Sequence, residues 1–136
     1  MRNVKIAAIQ MQCSTNLQAN LEKAEKMVRQ AAGDGAQIIL LPELFEREYF
    51  CQQRRYDFYH LAKPVEENDA VQMGMRLAKE LNVVLPVSFY EQDVNTLYNS
   101  IACIDADGTL LGVYRKTHIP AVSYTHLRAH ETRGNL

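Results

Sequence analysis

The sequence predicts an α/β fold, and three local patterns carry that prediction. Residues 4–12 (VKIAAIQMQ) place apolar side chains on both parities, as in a strand covered on both faces. Leu17, Leu21, Ala24, Val28 and Ala31 recur at steps of three and four, which is one helical stripe. Ile38-Ile39-Leu40-Leu41 is a short, unbroken apolar run, again a strand expected to be buried on both faces. Strand, helix and strand in under about forty residues form a βα unit returning to its sheet.

Each element has local chemistry behind it. Ser14, Thr15 and Asn16 offer oxygens to cap the first helix, and Glu22, Lys23, Glu25, Lys26 and Arg29 fill its solvent side. Gly33-Asp34-Gly35 ends it. Pro42 lacks the N–H a ladder needs, so the second strand stops there. An irregular stretch over 43–65 follows, rich in Phe and Tyr. A second stripe, Val71, Met75, Ala78 and Leu81, has acids before it and Lys79 near its end, which suits the helix dipole. Val83–Tyr90, interrupted by Pro86, reads as a third strand and 98–105 as a fourth. Ala106-Asp107-Gly108 makes a hairpin turn into a fifth strand over Thr109–Tyr114.

Composition narrows the function. At 136 residues, with 47% hydrophobic and 23% charged side chains, the chain has the size and balance of one globular domain. No apolar run approaches the ~20 residues of a membrane span, and no signal-peptide core is evident. Fifteen basic against sixteen acidic residues make a poor footprint for nucleic acid or a membrane surface. Arg54, Arg55 and the aromatics around them could suit nucleic acid, but Glu46, Glu48 and Asp57 cancel that charge. Three widely spaced cysteines fit reduced thiols in a cytoplasmic protein.

Two residues stand out chemically. Glu43 lies just past the C-terminal end of a strand, the rim where α/β sheets place their sites. In an aromatic-lined pocket it would be desolvated and raised toward the pKa of a working base. Lys116 follows the fifth strand, where an ammonium could stabilise an oxyanion. Among the cysteines, Cys103 reads as a small core hydrophobe, while Cys13 and Cys51 lack the cationic setting of a reactive thiol. His126 and His130 stand four apart, yet no third metal ligand has a matching position.

The strings VKIAAIQMQ (4–12), GAQIILLPELF (35–45) and YNSIACIDADGTLLGVYRKTHIP (98–120) together resemble the nitrilase superfamily of carbon–nitrogen hydrolases. LFEREYFCQ (44–52) and LAKELNVVLPVSFYE (78–91) look like a branch of it that acts on a ureido group. The resemblance implies the first half of a four-layer α-β-β-α sandwich and a Glu-Lys-Cys triad. In it Glu43 is the general base, Lys116 the oxyanion stabiliser, and Tyr49 a pocket residue. It further implies a small-molecule amide substrate, a thioester intermediate, homo-oligomeric assembly, and neither metal nor organic cofactor. The family's nucleophilic cysteine follows the lysine by a few dozen residues, and none of Cys13, Cys51 and Cys103 lies in the matching motif. The chain is therefore expected to be inactive by itself. Residues 1–120 are expected to form the N-terminal portion of the hydrolase domain, and 121–136 a non-native tail. Another branch of the family, or a non-catalytic assembly module, stays open at this stage.

Overall fold

The computed structural model describes residues 3–49 and 56–118. Cys51 and the 121–136 tail, with His126 and His130, lie outside the described residues. The order is β1 (Ile6–Ala8), α1 (Leu17–Gly33), β2 (Ile38–Leu40), α2 (Asp69–Leu81), β3 (Leu85–Asp93), β4 (Thr96–Ile104) and β5 (Leu110–Arg115). A 3-10 segment, Tyr56–Leu61, interrupts the passage from β2 to α2.

β1 and β2 pair in parallel, Ala7 opposite Ile39, and β3-β4-β5 form an antiparallel meander. Val84 joins the two sets, donating to Gln37 O and accepting from Ile39 N. The result is a sheet in the order β1-β2-β3-β4-β5. Pro86 does not interrupt β3. Val84, Tyr90 and Gln92 turn their main-chain groups toward the β2 side, so the missing N–H of Pro86 falls on that side and costs no bond to β4. The sequence reading missed the two-residue turn at Val94-Asn95, where Val94 takes φ 53° without glycine.

Both helices cover the same sheet face. Ala24, Val28 and Ala31 of α1, with Val71, Met73, Leu77 and Ala78 of α2, pack on Ile39, Val87, Phe89, Ala102 and Ile104. Asn16 caps α1 through Ala19 N, Asn68 caps α2 through Val71 N, and Asn82 closes α2 at φ 54°. The buried side of α2 holds Val71 and Ala78 of the predicted stripe together with Met73, Gly74 and Leu77, while Met75 and Leu81 of that stripe are only half-buried. Gly74 is the tight point: a Cβ there would lie 2.8 Å from both Val87 Cγ2 and Ile104 Cδ1. Gly74→Ala is therefore expected to destabilise by about 1–3 kcal/mol, read as a lower urea midpoint.

An ionic clamp ties the two helices. Glu25 accepts from Arg29 and Arg76, and Arg29 reaches Glu80 at 2.6 Å. Hydrogen bonds from Arg76 and then Arg29 hold the Glu25 carboxyl down to about 2. A carboxyl lowered in the fold stabilises above its unfolded value of 4.5 and loses that contribution as pH falls toward 2. Solvent screening limits the loss to under ~1 kcal/mol. Urea midpoints of the chain and of Glu25→Gln should accordingly converge across that window.

The other sheet face does not meet the expectation of burial for β1 and β2. Among the described residues, Leu44, Tyr49, Phe58, Leu61 and Ala62 cover it near Tyr90. Elsewhere Ile6 is 73% exposed and Tyr114 58%, with Leu40 and Cys103 also exposed. Cys103 is thus no core residue: Ala102 and Ile104 take the helix-facing parity of β4 and turn Cys103 outward.

Candidate active site

The open face carries the charged site. β2 ends at Leu40, and the chain turns outward through Pro42 and Glu43. Leu44 sets the turn at φ 51°, a left-handed conformation that is an outlier for a bulky side chain. It is held there by burial of its side chain and by its N–H, which donates to Ser88 Oγ at 3.0 Å.

Behind the turn, a buried polar chain anchors the loop. Asn68 Nδ2 donates to the Glu46 carboxylate at 3.1 and 3.2 Å, and Asn20 Nδ2 donates to Glu46 O at 3.0 Å. The same two asparagines lie at the starts of α2 and α1, so both helix N-termini grip this loop. Burial pushes the Glu46 carboxyl above its usual range, while hydrogen bonds from Asn68 and the Ala70 N–H work the other way.

Glu43 and Lys116 meet. Lys116 Nζ donates to Glu43 Oε1 at 2.9 Å across 73 positions of sequence. Asn99 Nδ2 donates to the same oxygen at 2.5 Å. Lys116 is placed by its own main chain, whose N–H donates to Asn99 O at 2.9 Å and extends the β4–β5 ladder. One residue earlier, Arg115 turns to the opposite face. There it binds Glu91 at 2.6 and 2.9 Å and Asp93 at 2.6 Å, and lies 4.1 Å from the Tyr98 ring centroid. That clamp fixes the end of β5, and with it the direction of Lys116.

The trio borders a cleft of about 310 Å3 lined by Leu40, Leu41, Ser88, Ile101 and Tyr114. Among the described residues, the lining of this cleft differs from the expected aromatic, desolvated pocket. Tyr114 is the aromatic among those residues, and the Glu43 side chain is 42% exposed, Lys116 35%. Of the described aromatics of 43–65, Phe45 joins the helix-side core and Tyr49 packs with Leu44, Phe58 and Tyr90. A carboxylate, an ammonium and an amide on one wall of such a cleft can exchange a proton and meet developing negative charge.

No described cysteine joins them. Burial pushes the Cys13 thiol up, partly offset by Lys23, which suits a packed thiol rather than a nucleophile. Cys103 shares the open face with Asn99 but is four residues along β4, about 13 Å at strand spacing. The sequence reading passed over Asn99. Its signal was the Tyr98-Asn99-Ser100 polar opening of an otherwise apolar strand.

The carbon–nitrogen hydrolase family model matches residues 5–133, and the chain belongs to that family. The match runs past Pro120 into residues outside the described part. Among curated relatives, the chain is 51% identical to N-carbamoylputrescine amidase of Arabidopsis thaliana over 88% of its own length and 40% of the relative's. It is 48% identical to a citrullinase of Francisella tularensis, over 88% of this chain and 42% of that protein. A crystal structure of a carbon–nitrogen hydrolase from Helicobacter pylori G27 superposes with TM-score 0.85 at 26% identity. The superposition covers 94% of this chain and 45% of that one. The chain spans about 40% of the length of the curated relatives it matches. Two packed layers matching half of a nitrilase-superfamily structure agree with the expected half-sandwich.

Proposed function

We propose that this chain supplies the Glu43–Lys116 half of an enzyme that hydrolyses N-carbamoylputrescine to putrescine, ammonia and carbon dioxide. The observation that carries the reading is the 2.9 Å contact of an acid and a cation from opposite ends of the sequence at one cleft. Similarity to amidases of that specificity supports the substrate.

The chemistry assigns each group a step. A thiol supplied from outside residues 1–136 gives its proton to Glu43, and sulfur bonds to the ureido carbon. Lys116 meets the negative charge on the carbonyl oxygen. Ammonia leaves with the proton returned from Glu43. Water activated by the same carboxylate then releases a carbamate, which loses carbon dioxide to give the amine. With neither of the described thiols, Cys13 and Cys103, beside Glu43, the 136-residue chain is expected to turn nothing over by itself. The reaction as written uses no metal or organic cofactor, and the parent enzyme assembles from identical subunits.

Citrulline is the second reading, favoured by the resemblance to a citrullinase, because its ureido group presents the same carbonyl. The test joins residues 1–118 to the C-terminal remainder of the Arabidopsis relative. Ammonia release is followed from N-carbamoylputrescine, citrulline and a simple ω-amide. Turnover of N-carbamoylputrescine at least tenfold faster than the others is expected. A preference for citrulline or the ω-amide replaces the substrate, and no turnover of any of them defeats the reading.

A further inference from the structure

We propose that Ser88 is a positioning residue for Glu43, acting through the main chain of Leu44; this rests on the function proposed above. The base and the cation belong to two sets of strands. Glu43 follows β2, whose partner is β1, and Lys116 follows β5 of the β3-β4-β5 meander. How well the two are held relative to each other therefore depends on the joint between the sets. At one end that joint is Val84, bonded to Gln37 O and Ile39 N. Ser88 lies four residues on, about 13 Å at strand spacing, and its Oγ accepts from Leu44 N–H at 3.0 Å. Pro42, in between, has no N–H to offer. Ser88 thus ties the chain to β3 one residue after Glu43, at the end of the joint where the site lies.

The conformation of Leu44 makes this tie consequential. A bulky residue keeps φ 51° only where its surroundings over-determine it. A change of φ there moves Glu43 as a body relative to the loop that follows, which Asn20 and Asn68 hold at Glu46. Side-chain contacts choose among the positions the main chain allows, and Leu44 sets that allowance. Ser88 Oγ satisfies the Leu44 N–H in this one conformation, with both residues buried. The hydroxyl also stands in the frame of the lysine. Ser88 pairs with Ile101 and Ile101 with Tyr114 across one rung of the meander, and Lys116 is two residues past Tyr114.

The test compares Ser88→Thr with Ser88→Val in the joined enzyme. The two side chains share a shape, but threonine keeps an oxygen for the Leu44 N–H and valine does not. The valine variant is expected to have a kcat at least about tenfold below that of the threonine variant, with KM within about threefold. In a Glu43→Gln background the two should differ by less than about threefold, because the hydroxyl then aims no base; a merely structural loss would recur there in full. Crystal structures of both joined proteins add a reading that requires no turnover. The 2.9 Å contact of Lys116 Nζ with Glu43 Oε1 should survive in Ser88→Thr and open beyond about 4 Å in Ser88→Val. Should Ser88→Val not fold, Ser88→Ala takes its place, compared with the parent serine. An inactive joined protein that shows this opening defeats the function and leaves the positioning role standing. A contact that stays closed, a kcat difference under about tenfold, or a difference that persists above about threefold in Glu43→Gln overturns the proposal.

Discussion

Glu43→Gln in the joined enzyme is expected to lower kcat/KM for N-carbamoylputrescine by at least about a thousandfold. The amide keeps the shape of the carboxylate but takes no proton from a thiol, so the nucleophile is never generated and both chemical steps stall. Lys116→Met keeps the length of the stem and removes the charge that meets the oxyanion, for an expected loss of about a hundred- to a thousandfold. Neither loss should come with a large fall in the urea midpoint. The Lys116–Glu43 pair is partly exposed, and such pairs contribute under ~1 kcal/mol to stability. Steady-state kinetics beside urea unfolding separates the two effects.

The second large effect concerns the open sheet face. Val4, Ile6, Leu40 and Tyr114 are exposed, and monomeric proteins rarely show contiguous apolar patches beyond several hundred Å2. At about 25 cal/mol per Å2, covering such a face contributes on the order of 10 kcal/mol. That rivals the whole stability of a typical domain. The isolated 136-residue chain is therefore expected to self-associate and to bind an apolar dye. Ile6→Thr combined with Leu40→Thr should reduce both, since each residue points away from the helix-covered core. Light scattering with dye fluorescence checks it, and a monodisperse monomer with a sharp cooperative melt would contradict it. A defined oligomer would instead favour an assembly module.

Much of the fold was legible because local chemistry and tertiary demand agree. Asn16, the Gly33-Asp34-Gly35 stop and the Ala106-Asp107-Gly108 turn do in the structure what their residue types require. Residues 4–12 and 38–41 supply the strands their apolar runs predict, but with one face of each left open. An apolar run signals a strand designed to be covered twice, but it cannot say whether the second cover lies within the same stretch of chain. Cys103 failed likewise, because β4 parity is set by Ala102 and Ile104 and only the pairing with β5 makes that visible. Pro86 looked like a break because its missing N–H matters only on the side that bonds, and sequence does not show sides.

The site divides in the same way. Glu43 was legible from its place after a strand and Lys116 from the resemblance, but their meeting needs the turn after β2, which crosses β3 at Ser88 to reach the ends of β4 and β5. Asn99 was hidden because an asparagine in a strand has many uses, and only the convergence on Oε1 singles out this one.

The central claim is that Glu43 and Lys116 act as one unit on one carbonyl. A double-mutant cycle on kcat/KM for N-carbamoylputrescine tests it most directly, with Glu43→Gln, Lys116→Met and both together in the joined enzyme. Groups serving a single step are strongly non-additive, so the double variant should lose no more than about tenfold beyond the worse single variant. Losses that multiply in full, or either single variant keeping its rate within threefold of the parent, would contradict the account.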